Sequence, residues 1–128
     1  MPAHDERMPR DMTQEQDHAL LQLTNELKCH LADVVNGVQE AKEVRTAAYE
    51  QVELLSKKLT SMLKGRELLP RRTLLALDMA ANTLENEASY AKEPARVTAM
   101  VNAIRMTLGL ILLGEAHEDR KPGVPRIV

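Results

Sequence analysis

The chain has 128 residues, enough for one domain, and its formal net charge of −2 gives no global reason to expect a nucleic acid, a membrane or an acidic partner. Its 44% hydrophobic residues include two tyrosines but neither tryptophan nor phenylalanine. A core must therefore consist mainly of leucine, alanine, valine and methionine, a set richer in helix formers than in strand formers. This composition argues against a β-sandwich, a barrel or an RNA-recognition sheet, all of which rely on aromatic residues.

The sequence also bears on the cellular compartment. Cys29 is the only cysteine, so the fold does not rest on an intrachain disulfide. The first residues contain no apolar stretch typical of a secretion signal. The most apolar stretch, residues 106–113, is too short to cross a bilayer, which needs about 20 residues. We therefore predict a cytoplasmic location and no membrane contact.

We divide the chain into two tails and one helical domain. Residues 1–12 combine charges with two prolines and show no periodicity, which is typical of a flexible tail. Thr13 followed by Gln16 is a capping-box pattern and predicts the first helix start. The helical domain is predicted over 13–114 and ends at a glycine cap. Residues 115–128 contain two prolines and a glycine and are predicted to be an extended C-terminal tail.

The first half of the helical domain carries apolar residues at alternating steps of three and four, the heptad repeat of a coiled coil. Thr24 and Arg45 are its polar interruptions, and polar residues at such positions usually fix register or oligomeric state. The repeat keeps its phase through Gly37, although Asn36 and Gly37 together are a strong turn signal. We therefore favour one helix over 13–64, roughly 75 Å long and either continuous or kinked at Gly37. The alternative is a break at Gly37 that produces two helices.

The second half of the domain predicts a two-helix hairpin. Lys64 and Gly65 end the long helix with a cation and a left-handed cap, and Pro70 suits the first turn of the next helix. Pro94 begins a third helix, whose end at 108–113 is apolar nearly all round and is expected to be the most buried. The predicted fold is therefore all-α, with a long heptad-patterned helix and a two-helix hairpin that form an antiparallel helical bundle.

These helix lengths imply a partner. Two helices of about 20 residues span roughly 30 Å each and can cover less than half of the long helix. An apolar stripe would then remain exposed, which soluble monomers seldom tolerate, and we predict that a second copy covers it in a homodimer. A break at Gly37 would instead let four helices close into a monomeric bundle. The predicted dimer or partner stripe consists of Leu20, Leu27, Leu31, Val34 and Val38.

A basic cluster at the junction after the long helix is the most distinctive local feature. Such a cluster can bind the phosphates of a nucleic acid or an acidic protein partner, and it can also be an ordinary solvated turn. No aromatic residue lies nearby to stack bases and no helix-turn-helix pattern is visible. A small nucleic-acid-binding regulator is therefore our second hypothesis. The basic elbow, within residues 57–72, comprises Lys57, Lys58, Lys64, Arg66, Arg71 and Arg72.

The sequence contains no recognisable catalytic or metal-binding pattern. His18 and Cys29 are eleven residues apart, about 16 Å along a helix, and cannot share one ion. Cys29 and His30 diverge around a helix, and no third group orients them as nucleophile and base. We therefore predict no enzyme activity, no metal and no cofactor. Our leading hypothesis is a non-catalytic protein–protein interaction module of adaptor, chaperone or inhibitor type, which associates with itself.

Overall fold

The structure is a computed structural model and describes residues 14–120. Helix α1 packs along α2 and α3 along α4, while α1 also contacts α3 and α2 contacts α4. No strand occurs among the described residues, so the predicted all-α bundle is confirmed. The four α-helices are α1 (Gln14–Asn36), α2 (Thr46–Leu63), α3 (Arg71–Glu87) and α4 (Pro94–Leu113).

The chain reverses direction shortly after Gly37, so our preference for one helix over 13–64 is wrong. α1 continues as a π-helical turn, Gly37–Ala41, and α2 begins only at Thr46. Lys42 adopts the left-handed conformation with φ 61°, and its backbone N–H donates to the carbonyl of Val38 over 3.1 Å. The broken-helix alternative is therefore the one that the structure supports.

The heptad phase survives this reversal because of the length of the turn. Val38 is the last buried heptad residue before residues 39–45, and Ala48 is the first after them. Ala41 and Arg45, the two heptad positions between them, are both exposed in the turn. Residues 39–45 thus replace one whole heptad, so the apolar pattern resumes in phase on a helix that runs back along the first.

Gly37 is required in this turn for steric reasons. A Cβ at position 37 would lie 3.0 Å from the carbonyl oxygen of Glu43 and 2.8 Å from Cγ of Arg45. The guanidinium of Arg45 is held by Asp33, with Nη1 donating to Oδ1 over 2.7 Å. The returning chain therefore packs its backbone directly against the glycine, and a larger residue would displace it.

The core is formed by the apolar stripes of all four helices and contains one pair of buried threonines. Oγ1 of Thr24 and Oγ1 of Thr73 lie 2.7 Å apart, and this hydrogen bond joins α1 to α3. Buried hydroxyls need such partners because an unpaired one loses its bonds to water. Thr24 therefore interrupts the apolar stripe in order to pair with α3 of the same chain.

α4 is the most apolar of the described helices, and it is the one among them that is long and apolar enough by composition to cross a membrane. The core helix of a water-soluble protein meets the same criterion. Val97, Met100 and Ile104 are buried in the bundle and account for part of this hydropathy. Leu112 and Leu113 at the end of α4 are exposed, so the expectation that this end is the most buried is wrong.

The segment after α4 folds back on the bundle, and the predicted tail therefore begins too early. Ala116 is fully buried, and its backbone N–H donates to Oδ2 of Asp119 over 2.9 Å. The other carboxylate oxygen of Asp119 accepts a hydrogen bond from Nζ of Lys64 over 2.8 Å, which attaches this segment to the end of α2. The helical domain thus extends to at least residue 120, and the rest of both predicted tails lies outside the described residues.

Candidate interaction surface

The predicted partner stripe is buried inside the single chain. Leu27, Val34 and Val38 are completely covered, Leu31 is 3% exposed, and Leu20 is partly buried against the same core. α2 folds back along α1 and covers the face that a straight helix would have left in water. The stripe therefore gives no reason to expect a second chain there, and a homodimer stays a prediction that needs another surface.

The lysines of the basic elbow lie in different environments. Lys58 is exposed on α2, while Lys57 lines a small cavity between α2 and α4. Lys64 is paired with Asp119, and the hydrogen bond between them raises the pKa of Lys64 and lowers that of Asp119. The lysines therefore do not form the single cationic patch that phosphate binding would favour.

The arginines of the elbow lie on the other side of the junction. Arg66 is half-buried, and its Nε and Nη1 atoms are covered without a hydrogen-bond partner within the described part of the chain. Arg71 and Arg72 are exposed in the first turn of α3. This position is unfavourable for cations because the N-terminal end of a helix carries partial positive charge. Residues that depart from a local preference in this way often mark functional sites.

Arg71 borders an apolar groove between α3 and α4 that the sequence did not lead us to expect. The groove has a volume of about 460 Å³. Leu75 on α3 is 52% exposed and Leu112 on α4 is 62% exposed, so both helices contribute aliphatic surface to it. We call it the α3–α4 groove, and its lining consists of Leu69, Arg71, Leu74, Leu75, Asp78, Leu108 and Leu112.

A second groove continues this surface on the other side of α3. It has a volume of about 550 Å³, lies between the first half of α1 and the start of α3, and shares Leu69 and Arg71 with the α3–α4 groove. Leu21, which is 53% exposed, and Arg72 also line it. The two grooves therefore form one surface around the start of α3, bordered by two arginines. Its exposed leucines lie among polar and charged side chains, which in the second groove include Asp17, Asn25 and Lys28.

Two opposite charges flank the centre of the α3–α4 groove. Arg71 and Asp78 are seven residues apart on α3, which is about 10 Å or two helical turns, and Leu75 lies between them. Neither forms an ion pair with another residue of the described range. Asp78 accepts a long hydrogen bond of 3.4 Å from Nδ2 of Asn82. Asp78 also lies close enough to Arg105 on α4 for its charge to help raise the pKa of that arginine. Neither Arg71 nor Asp78 is held in an ion pair within the described range, so both can meet groups on a bound partner.

The small cavity between α2 and α4 is lined in part by titratable side chains, among them Tyr49, Lys57 and His117. Its volume is about 180 Å³. His117 enters it with Nε2 2.9 Å from Oγ1 of Thr107, and burial, assisted by nearby cations, lowers the pKa of His117. Burial, and to a smaller extent Glu53, raises the pKa of Tyr49. These groups come from α2, α4 and the folded-back segment. The Thr107 hydroxyl and the His117 imidazole form one hydrogen bond there, but Thr107 is buried and no described residue hydrogen-bonds to Nδ1 of His117 to orient the ring as a base.

The sequence carried a signal for the apolar surface that we did not use. Leu75 and Met79 are four residues apart on the face of α3 opposite its buried residues, which include Leu77 and Leu84. Large apolar side chains on a helix face that is otherwise exposed are a recognised indication of a binding surface.

Comparisons of the chain with protein-family models, with curated proteins and with solved structures found no match. Groups of three or more side chains able to hold a metal ion do not occur among residues 14–120. A function for this chain is therefore argued from the chemistry of its surface.

Proposed function

We propose that the protein is a non-catalytic protein–protein interaction module that binds through the apolar surface around α3. The observation that carries this is the exposure of Leu21, Leu75 and Leu112 along two continuous grooves. Exposed leucines grouped along neighbouring grooves are a recognised indication of a binding surface. An adaptor, a chaperone or an inhibitor would use such a surface.

The position of the α3–α4 groove between two helices favours a helical partner. A groove between two helices accepts the apolar face of a third helix, whose anchoring residues recur every three or four positions. Most of the binding energy at protein interfaces usually comes from tryptophan, tyrosine and arginine. Of these three residue types, arginine lines the α3–α4 groove. Leucine contacts then supply the buried area, while Arg71 and Arg72 at the border select a partner with matching acidic residues.

A nucleic-acid-binding regulator remains our second hypothesis and has weaker support. Lys64 is paired with Asp119, and Arg71 and Arg72 border apolar rather than aromatic surface. A titration of DNA and RNA binding against salt tests it directly, because phosphate contacts weaken steeply as the salt concentration rises. Binding that is absent at low salt would reject this hypothesis.

We also propose a cytoplasmic location. The thiol of Cys29 is free and exposed, and a reducing compartment keeps such a thiol from oxidation.

Site-specific photo-crosslinking in the native cell tests the interaction function. A photoreactive residue at position 75 is compared with one at position 54, where Leu54 is similarly exposed on α2 at 48% but lines neither groove. We expect discrete crosslinked species from position 75, few from position 54, and loss of the former when Leu112→Asp is added. Equal crosslinking from both positions would contradict the proposed function.

A further inference from the structure

We propose that the partner of the α3–α4 groove is a second copy of this chain, in a two-fold symmetric dimer in which Arg71 of each copy pairs with Asp78 of the other. This inference rests on the proposed function and names the partner that the groove accepts. It also moves the predicted homodimer from the buried stripe of α1 to the outer face of α3.

The spacing of the two charges is what makes the groove complementary to itself. A two-fold interface places the same surface on both copies, so that residue i meets residue j and residue j meets residue i. If the axis passes between Leu74 and Leu75, perpendicular to α3, the two α3 helices lie side by side in opposite directions. Arg71 and Asp78 are each three and a half residues from that axis, so each lies opposite the other on the facing helix.

Both residues also lie on the same edge of α3, which the dimer requires. Such an axis makes the two α3 helices antiparallel, and it brings the same side of each helix into the interface. Arg71 and Asp78 both line the α3–α4 groove and are two turns apart, so they share that edge. Leu75 lies at the centre and meets its own copy, where apolar contact excludes water from the two charge pairs.

A different protein would use only part of this pattern. An acidic amphipathic helix would satisfy Arg71, but it would leave Asp78 beside its apolar face with only the nearby charge of Arg105 and no ion pair. A partner that fits both charges needs a basic and an acidic residue two turns apart with an apolar residue between them. This chain presents that arrangement on its own exposed face, which favours a second copy over another occupant.

Charge reversal at the two positions tests the pairing. We expect light scattering of the full chain at about 100 µM to give twice the 14.3 kDa of one chain. Arg71→Asp sets two acidic residues opposite each other, and Asp78→Arg sets two basic residues opposite each other, so each variant should weaken the dimer at least tenfold. An equal mixture of the two variants should restore it, because every acidic position in one variant then faces a basic position in the other.

Lys58→Asp is the matched control, since it reverses a charge on the exposed surface of α2 outside both grooves. Circular dichroism confirms that each variant is folded. A wild-type chain that is monomeric at this concentration, a dimer insensitive to both reversals, or a mixture that does not re-associate would each overturn the inference. A monomer that still crosslinks another protein from position 75 would overturn it and leave the proposed function intact.

Discussion

The close approach of the chain at Gly37 leads to a prediction with a built-in control, because the same substitution at Gly109 should have the opposite effect. An added Cβ meets nothing within 4 Å at Gly109, which lies inside α4. Replacement of a helical glycine by alanine at an unstrained site stabilises a protein by about 0.4–1 kcal/mol. Gly109→Ala should therefore raise the free energy of unfolding by that amount.

Gly37→Ala adds the same methyl group at a position where there is no room. The new Cβ would lie 3.0 Å from the Glu43 carbonyl oxygen and 2.8 Å from Arg45 Cγ. The arginine can rotate away at the cost of its exposed ion pair, but the carbonyl belongs to the backbone of the turn. Overpacking of this kind costs about 1–3 kcal/mol, which exceeds the helical gain of the substitution. We therefore expect a net loss of about 1–2 kcal/mol.

Urea unfolding and thermal unfolding, both followed by far-ultraviolet circular dichroism, measure the two changes. In a domain of this size a change of about 1 kcal/mol shifts Tm by roughly 4 °C, so the two variants should differ by several degrees on opposite sides of wild type. Gly37→Ala combined with Arg45→Ala separates the two contacts, since it removes the side chain and leaves the Glu43 carbonyl. Equal stabilisation by Gly37→Ala and Gly109→Ala would refute the tight turn.

Three further predictions concern the interior of the bundle. Thr24→Val should lower the free energy of unfolding by about 1–2 kcal/mol, because the Thr73 hydroxyl loses its buried partner. In a double-mutant cycle measured by urea unfolding, the variant with valine at both positions should lose less than the sum of the two single substitutions. Burial lowers the pKa of His117, so protonation of this residue favours the unfolded chain. The free energy of unfolding should therefore decrease as the pH is lowered from about 6.5. His117→Gln should lose this dependence, and an unchanged pH profile in that variant would exclude His117 as its cause. Leu27→Asp should abolish the helical signal rather than yield a folded monomer, because Leu27 is fully buried within one chain.

The heptad repeat identified the buried face of the first half of the chain but not what covers it. Leu31, Val34 and Val38 are buried as their spacing indicates, and so are Ala48 and Val52 beyond the turn. An apolar stripe requires another apolar surface, which can come from the same chain or from a second copy. Because the turn replaces one whole heptad, periodicity alone could not distinguish a straight helix from one that folds back.

The folded-back segment after α4 had no signal in the local sequence. Its prolines and glycine, which are typical of an extended tail, all lie beyond residue 120. The contacts that hold it are made with α2, where Thr60 accepts the backbone N–H of His117 over 3.2 Å and Ser61 donates to Glu118 over 2.7 Å. Interactions between residues 57 positions apart depend on the tertiary fold, and neither propensity nor periodicity encodes them.

The reversal after Gly37 and the location of the partner surface are physically connected. Since α2 covers the stripe of α1, the heptad repeat is satisfied within the chain and leaves no apolar face on that side for another protein. Leu21, Leu75 and Leu112 are exposed around the start of α3, beside two arginines that the helix dipole disfavours. Neither the leucines nor the arginines improve the stability of an isolated chain, since one group exposes apolar area and the other opposes the dipole. A bound partner of the proposed kind would remove both costs at once, because it would cover Leu75 and Leu112 and supply a carboxylate to Arg71. We therefore expect association at α3 to stabilise the chain.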